Sequence, residues 1–351
     1  MRRRLTLRLR VTGLTLSGVL LVATLAACGA SAGGSAAAPA AHASPVPAAA
    51  PQASAGSAHG RVAPFRAADF PAAHGQTIRA LIGAAAQGPH LALANSVFLP
   101  GPRARVAFAL IDDSSNFVLA ESAVYIAPSI GAPVRGPFPA SLDSIYPAPA
   151  YLSRTVARDQ GAKTAVYHAA VPIRAPGPQA VLVLSRVQGR LVYSLTGLKA
   201  VARSPIPDVG QRPPRIDTPT LASVHGDVRS IDTRDPPDDM HAVDFRRVLG
   251  HQPVALVFAT PLLCQSRLCG PVVDLAEQLK ATYGHRMAFI HQEVYVHNMV
   301  QAGLRPQLRA FHLQTEPWLF TFDRSGRVAA RLEGAFGQAE FRAAVEAALK
   351  P

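Results

Sequence analysis

The stretch Pro253-Val-Ala-Leu-Val-Phe-Ala-Thr-Pro-Leu-Leu-Cys-Gln-Ser-Arg-Leu-Cys-Gly-Pro271 decides the fold of this chain. Its first part is a continuous apolar run, which reads as a strand in a sheet covered on both faces. Cys264 and Cys269 follow, and Val272 to Tyr283 then reads as a helix, with Val273, Leu275, Ala276 and Leu279 available for an inner face. A strand that runs into a helix places its loop at the helix N-terminus, where unpaired amides and the helix dipole favour an anion. A cysteine held there can lose its proton near neutral pH and become a nucleophile.

The spacing of the pair constrains the local backbone. Two helical cysteines three positions apart lie about 5 Å between Cα atoms, which suits a disulfide. Five positions apart, as here, they would be ~8.6 Å apart on different faces of a continuous helix, too far to bond. Either the first turn is a loop or it unwinds when the bond forms. Pro271 is compatible with both: as the first helical residue it follows a loop from Cys264 to Cys269, and otherwise it kinks a helix that began near Cys264. In both cases Cys264 is the attacking thiol, because it comes first after the strand, and Cys269 resolves the mixed disulfide.

Outward from this stretch the pattern continues as strand, hairpin and helix. Met287 to His291 is a strand, and Thr315-Glu316-Pro317 precedes a strand from Trp318 to Phe322. An Asp323-Arg-Ser-Gly326 turn, a strand from Arg327 to Glu333 and a closing helix from Gln338 to Leu349 complete the order. Upstream, Val209-Gly-Gln-Arg-Pro-Pro214 and a glycine-containing hairpin at His225-Gly-Asp227 lead in. Residues 204–351 read as one domain, of which about 209–351 resembles the extracytoplasmic thioredoxin and peroxiredoxin-like superfamily, in a CxxxxC variant. The resemblance implies an α/β thioredoxin-like domain, a cis Pro317 opposite the cysteines, and a Glu316 backbone that could pair with a substrate peptide. Two features depart from the family. The strand before the cysteines carries Leu256-Val257-Phe258 where thioredoxins bury an acid, and Leu263 stands where an aromatic precedes the first cysteine. Accessory candidates are therefore His291 and Glu293 at the next strand end as base, and Arg267 as a charge beside the thiolate.

The N-terminal part divides differently. Met1 to Arg10 is basic, Val11 to Ala26 is apolar, and Leu25-Ala-Ala-Cys28-Gly29 resembles the bacterial lipobox. The resemblance implies a signal peptide over 1–27, lipidation of Cys28 (diacylglycerol, with palmitate-type acylation), and a cell-membrane anchor on the extracytoplasmic side. Residues 28–88 read as the lipidated cysteine and an Ala/Pro/Ser tether, with too little large apolar surface up to about Gly60 to offset the entropy of ordering; Thr77 to Ala86 is a candidate short helix. Residues 89–203 show repeated short strands separated by turn clusters, the pattern of an all-β, immunoglobulin-like sandwich. Pro128 to Ala150 reads as a long Pro-rich loop, and His168 as a structural histidine.

Composition removes several function classes. Lys+Arg number 35 against 22 Asp+Glu, a net charge of +13 that falls to +8 without the five arginines of the signal. The remaining basic residues form no basic run, so no nucleic-acid surface is expected. Of three cysteines, Cys28 is consumed by lipidation, which leaves Cys264 and Cys269 as one pair. The leading expectation is a thiol-disulfide oxidoreductase that needs no cofactor and no metal. It would act on exported protein thiols or disulfides, with a membrane electron donor if it reduces them. Two alternatives stay open. One is a copper-binding chaperone with Cys264, Cys269 and His291 (or His297 or His312) as ligands. The other is a peroxiredoxin-like peroxidase, whose family threonine stands three positions before the cysteine where Thr260 stands four before Cys264.

Overall fold

The structure, a computed structural model, describes residues 65–159 and 164–351. The expected signal peptide, Cys28 and the greater part of the expected tether lie outside the described residues. From Phe65 onward the chain is folded, so no tether extends to residue 88. A short helix α1 (Ile78–Gly83), capped by the Thr77 hydroxyl, buries Ile78 and Leu81. With Phe70 they cover one face of a sheet, because this segment carries the large apolar side chains that the Ala/Pro/Ser stretch lacks.

Nine strands follow: β1 (Ala86–Gln87), β2 (His90–Leu93), β3 (Gly101–Ile111), β4 (Glu121–Ala127), β5 (Arg135–Pro139), β6 (Ser141–Ser144), β7 (Ala165–Ile173), β8 (Gly177–Val187) and β9 (Arg190–Ala200). They form a five-stranded sheet in the order β1-β9-β8-β4-β5 and a four-stranded sheet in the order β2-β3-β7-β6. All pairings are antiparallel except that of the two-residue β1 with β9. The period-2 alternation of the strands explains the layering. Val106, Phe108 and Leu110 of β3 meet Val124 and Ile126 of β4 and Val181 and Val183 of β8 in a core between the sheets. The intervening residues Ala123, Tyr125, Leu182 and Leu184 point the other way and pack under α1. The Pro-rich segment read as a loop instead contains β5 and β6, each at a sheet edge, where a proline's missing N–H costs no ladder bond.

The third sheet belongs to the C-terminal part. Strands β10 (Val254–Phe258), β11 (Ala288–Gln292), β12 (Trp318–Phe322) and β13 (Val328–Glu333) lie in the order β11-β10-β12-β13. Strand β10 runs parallel to β11 and antiparallel to β12. All five residues of β10 are buried, and alternation again sorts them. Ala255 and Val257 face α4 (Cys269–Tyr283) and α6 (Gln338–Ala348). Val254, Leu256 and Phe258 face an aromatic cluster of Phe245, Phe311, Trp318, Phe320 and Phe322. This is a thioredoxin-like fold. Full burial of each such apolar side chain stabilises by roughly 1.5–3 kcal/mol. Short helices α3 (Phe245–Val248) and α5 (Pro306–Ala310) close the aromatic side. The expected hairpin at His225–Asp227 does not form. Residues 201–244 contain only a 3-10 turn, Val228–Ser230, and the positive φ of His225 and Gly226 belongs to tight turns.

The sandwich and the thioredoxin-like part share apolar and polar contacts. Ala107, Ile145 and Val166 join the same buried cluster as α4 and α6. Asp143 of β6 accepts from the amides of Ala339 and Glu340 at 3.0 and 2.9 Å, capping the N-terminus of α6. The Arg105 guanidinium holds both oxygens of Glu340 at 2.7 Å and also donates to the carbonyl of Glu333 at 3.0 Å. His168, the strand histidine, lies 3.6 Å from the same carboxylate. At Gly334 (φ +69) a Cβ would fall 1.7 Å from the Ala94 carbonyl oxygen, so only glycine permits this approach.

Candidate active site

Helix α4 begins at Cys269, with Leu268 as its cap, so Cys264 to Leu268 is a loop and Pro271 sits in the helix's first turn. That settles the spacing problem. Cys264 stands off the helix end and Cys269 is the first helical residue, beneath it and fully buried. Both thiols are free, and the Cys269 amide donates to Cys264 Sγ at 3.4 Å. The Ser266 hydroxyl lies 3.2 Å from the same sulfur.

These contacts separate the two thiols. Hydrogen bonding from the Cys269 thiol outweighs burial and, with Ser266 and the amides of Cys269 and Leu268, brings Cys264 down to about 6. Burial, and then the neighbouring Cys264 sulfur, push Cys269 well above the ordinary range. At neutral pH Cys264 is therefore a thiolate and Cys269 a thiol that donates to it.

The cysteine loop faces the turn before β12. The Glu316–Pro317 peptide is cis, and a Glu316 carboxylate oxygen and the two sulfurs lie within 4.8 Å of one another. Burial, then the Cys264 charge, raise Glu316 to about 7, against a hydrogen bond from Tyr295 that lowers it. Strand β10 is apolar throughout, and the carboxyl beside the sulfurs comes from the opposite loop. The sequence pointed to Glu316 for its backbone and missed its side chain. Tyr295 follows β11 in an irregular segment and carries no sequence signal for this role. Ser266, two residues after Cys264, was within reach of a local reading.

The other accessory candidates are placed elsewhere. Arg267, at φ 58, pairs with Asp159 at 2.9 Å across a groove between the loop and α2 (Arg154–Arg158). Glu293 is buried and accepts from the amide and hydroxyl of Thr233 at 2.8 and 2.6 Å. His291 has both ring nitrogens occupied, by Asp238 at 2.7 Å and the Ala259 carbonyl at 3.2 Å. The potential ligand group containing the two sulfurs is completed by Glu316, while His291 belongs to a different group. Thr260 is buried, and its backbone hydrogen-bonds the Cys269 sulfur rather than Cys264. Beside Cys264, Val156, Thr155 and Pro271 line the groove together with Leu262, whose 68% exposure leaves an apolar side chain at the mouth.

No family model and no curated protein sequence matches the chain. Among solved structures it is similar to a putative thiol:disulfide interchange protein DsbE from Chlorobium tepidum, at 16% identity and TM-score 0.30, over 41% of this chain and 99% of that one. It is also similar to a thioredoxin-family thiol:disulfide interchange protein from Chlorobium tepidum TLS (17%, TM-score 0.27, 43% and 100%). MTB dsbF, in mixed oxidized and reduced forms, is a third (18%, TM-score 0.27, 38% and 95%). Each of these likenesses covers less than half of the chain. Among the described residues no helix is long and apolar enough to cross a membrane.

Proposed function

We propose that the chain is a thiol-disulfide oxidoreductase working through Cys264 and Cys269, lipid-anchored at Cys28 on the extracytoplasmic side of the cell membrane, with an immunoglobulin-like sandwich as its N-terminal module. The observation that carries the reading is the unequal pair: Cys264 held as a thiolate at the start of α4, and Cys269 buried as a thiol directly beneath it.

In the reducing direction the Cys264 thiolate attacks one sulfur of a substrate disulfide, forms a mixed disulfide and expels the other sulfur as a thiolate. Cys269 then passes its proton to the Glu316 carboxylate and attacks Cys264 Sγ. The second substrate thiolate leaves, and Cys264–Cys269 is now a disulfide. The reverse sequence oxidises a dithiol substrate. Stabilising the Cys264 thiolate stabilises the reduced form of the enzyme, which biases the exchange toward donating a disulfide. The groove with Leu262 at its mouth suits an extended polypeptide substrate.

The test is trapping. Cys269→Ser should accumulate a mixed disulfide between Cys264 and exported proteins presented with their disulfides intact, and Cys264→Ser should accumulate none. If the wild-type pair forms no disulfide under any oxidising condition, the proposal fails. Peroxide turnover without thiol exchange, or tight Cu(I) binding at the two sulfurs, would establish one of the alternatives instead.

A further inference from the structure

Behind the cysteine loop lies a second cluster of ligating side chains that thiol exchange does not use. Asp232, Asp238 and His241 come from the irregular stretch 201–244, and His291 comes from β11. All four are buried, and one donor atom from each lies within 4.8 Å of the others. Three of them are fixed by hydrogen bonds. Asp232 accepts from the amides of Arg234 and Asp238, both at 2.7 Å. Asp238 accepts from the Met240 amide at 2.9 Å and lies 2.7 Å from His291 Nδ1. His241 is the exception. It is 3% exposed, and neither ring nitrogen makes a hydrogen bond. Its Nε2 stands between the two carboxylates, 3.4 Å from Asp238 Oδ1 and 3.6 Å from Asp232 Oδ2.

We infer that Asp232, Asp238, His241 and His291 form a structural binding site for a first-row divalent metal ion of the zinc type. A buried imidazole without a hydrogen-bond partner is costly, and a metal at the point where its Nε2 is aimed removes that cost. Bonds of about 2.0–2.1 Å in a tetrahedral site put donor atoms about 3.3 Å apart. The separations of 3.4, 3.6 and 3.8 Å within the cluster need only small closing movements, and the 2.7 Å contact between His291 and Asp238 opens. Two aspartates bring a formal charge of −2, which a divalent ion cancels with both imidazoles neutral. His291 has the expected outer contact: Nε2 donating to the Ala259 carbonyl leaves Nδ1 free to ligate. Four protein donors in a buried pocket make a closed site, structural rather than catalytic. The site also answers what pins a 44-residue stretch, 201–244, with almost no regular structure inside a folded domain. Nitrogen and carboxylate donors suit zinc better than Cu(I).

The experiment uses the full chain carrying Cys264→Ser and Cys269→Ser, so that neither thiolate of the pair competes. After chelator treatment the protein is titrated with Zn(II) alone and with Co(II) alone. One equivalent should bind, Co(II) should show the visible absorption of four-coordinate nitrogen and oxygen ligation without a sulfur charge-transfer band, and Tm should rise. Adding Asp232→Asn, which keeps the side chain's shape, should weaken binding at least about 100-fold, and His241→Ala should do the same. If His241→Ala does not fold, Asp232→Asn decides alone. No stoichiometric binding in the double-serine chain, or unchanged affinity in Asp232→Asn, would overturn the assignment.

Discussion

A single ionisation difference between two sulfurs organises the chemistry, and it is measurable. Reducing the disulfide adds two electrons, and each proton taken up contributes about 30 mV per pH unit for this two-electron couple. Below about pH 6 both sulfurs are protonated on reduction, so the potential should fall by about 60 mV per pH unit. Once the pH rises past Cys264's value of about 6, that sulfur stays a thiolate, one proton fewer is taken up, and the slope should drop to about 30 mV per pH unit. Glu316 spreads the break. The Cys264 charge that helps raise it to about 7 exists only in the reduced form, so reduction drives a proton onto Glu316 just below that pH. The break should therefore extend from about 6 to about 7 in the wild type and return to about 6 in Glu316→Gln. Alkylation by iodoacetamide should follow the same titration, rising through pH 6, with one thiol reacting in the native protein. In the proposed exchange, Glu316→Gln also removes the acceptor for the Cys269 proton. Resolution of the mixed disulfide should slow about 100-fold at neutral pH, the size of a general-base contribution, with the first attack little changed. Equal slowing of both steps would place Glu316 outside the proton transfer.

At the level of elements, the sequence was most readable where a strand is buried on both faces. The run before Cys264 could be nothing but a central strand, and β10 lies between β11 and β12 with all five side chains buried. It was least readable where stability comes from a distant partner. Nothing local marks Arg135–Pro139 and Ser141–Ser144 as strands, because short edge strands owe their form to the neighbour they pair with. The site shows the same division. Cys264, Cys269 and Pro317 stand in a readable order, whereas the Glu316 carboxyl and Tyr295 meet the sulfurs only once the loops after β11 and before β12 are folded together. His291 and Glu293 looked available at a strand end and are instead buried, each with partners from residues 232–238. One helix end makes the same point quantitatively. The cap of α6 is Asp143, almost two hundred residues upstream, and its loss in Asp143→Ala should cost about 1–2 kcal/mol, read from urea unfolding. Gly334→Ala should cost at least about 2 kcal/mol in the same assay, because it combines a positive φ with a clash against Ala94.

For the molecule as a whole, these contacts tie the sandwich to the thioredoxin-like part. Arg105 and Glu340 form a bidentate pair whose side chains are 19% and 10% exposed, so removing the arginine leaves a carboxylate poorly solvated. Wild-type protein should unfold in one cooperative calorimetric transition. Arg105→Ala should lower its midpoint and broaden it, since one of the polar links between the two parts is lost while the Asp143 cap and the cluster around Ala107, Ile145 and Val166 remain. A wild-type protein that already melts in two steps would refute this coupling. The cap that Asp143 gives to α6 also bears on how the protein is made. Chains leave the ribosome N-terminus first, and domains tend to fold in that order. By the time the last helix is synthesised, the sandwich is already a finished template presenting a carboxylate to the helix's free amides. Formation of α6 is then a docking event onto pre-existing structure. A C-terminal half expressed alone, from residue 204, would have to fold without the surface its last helix is built to meet.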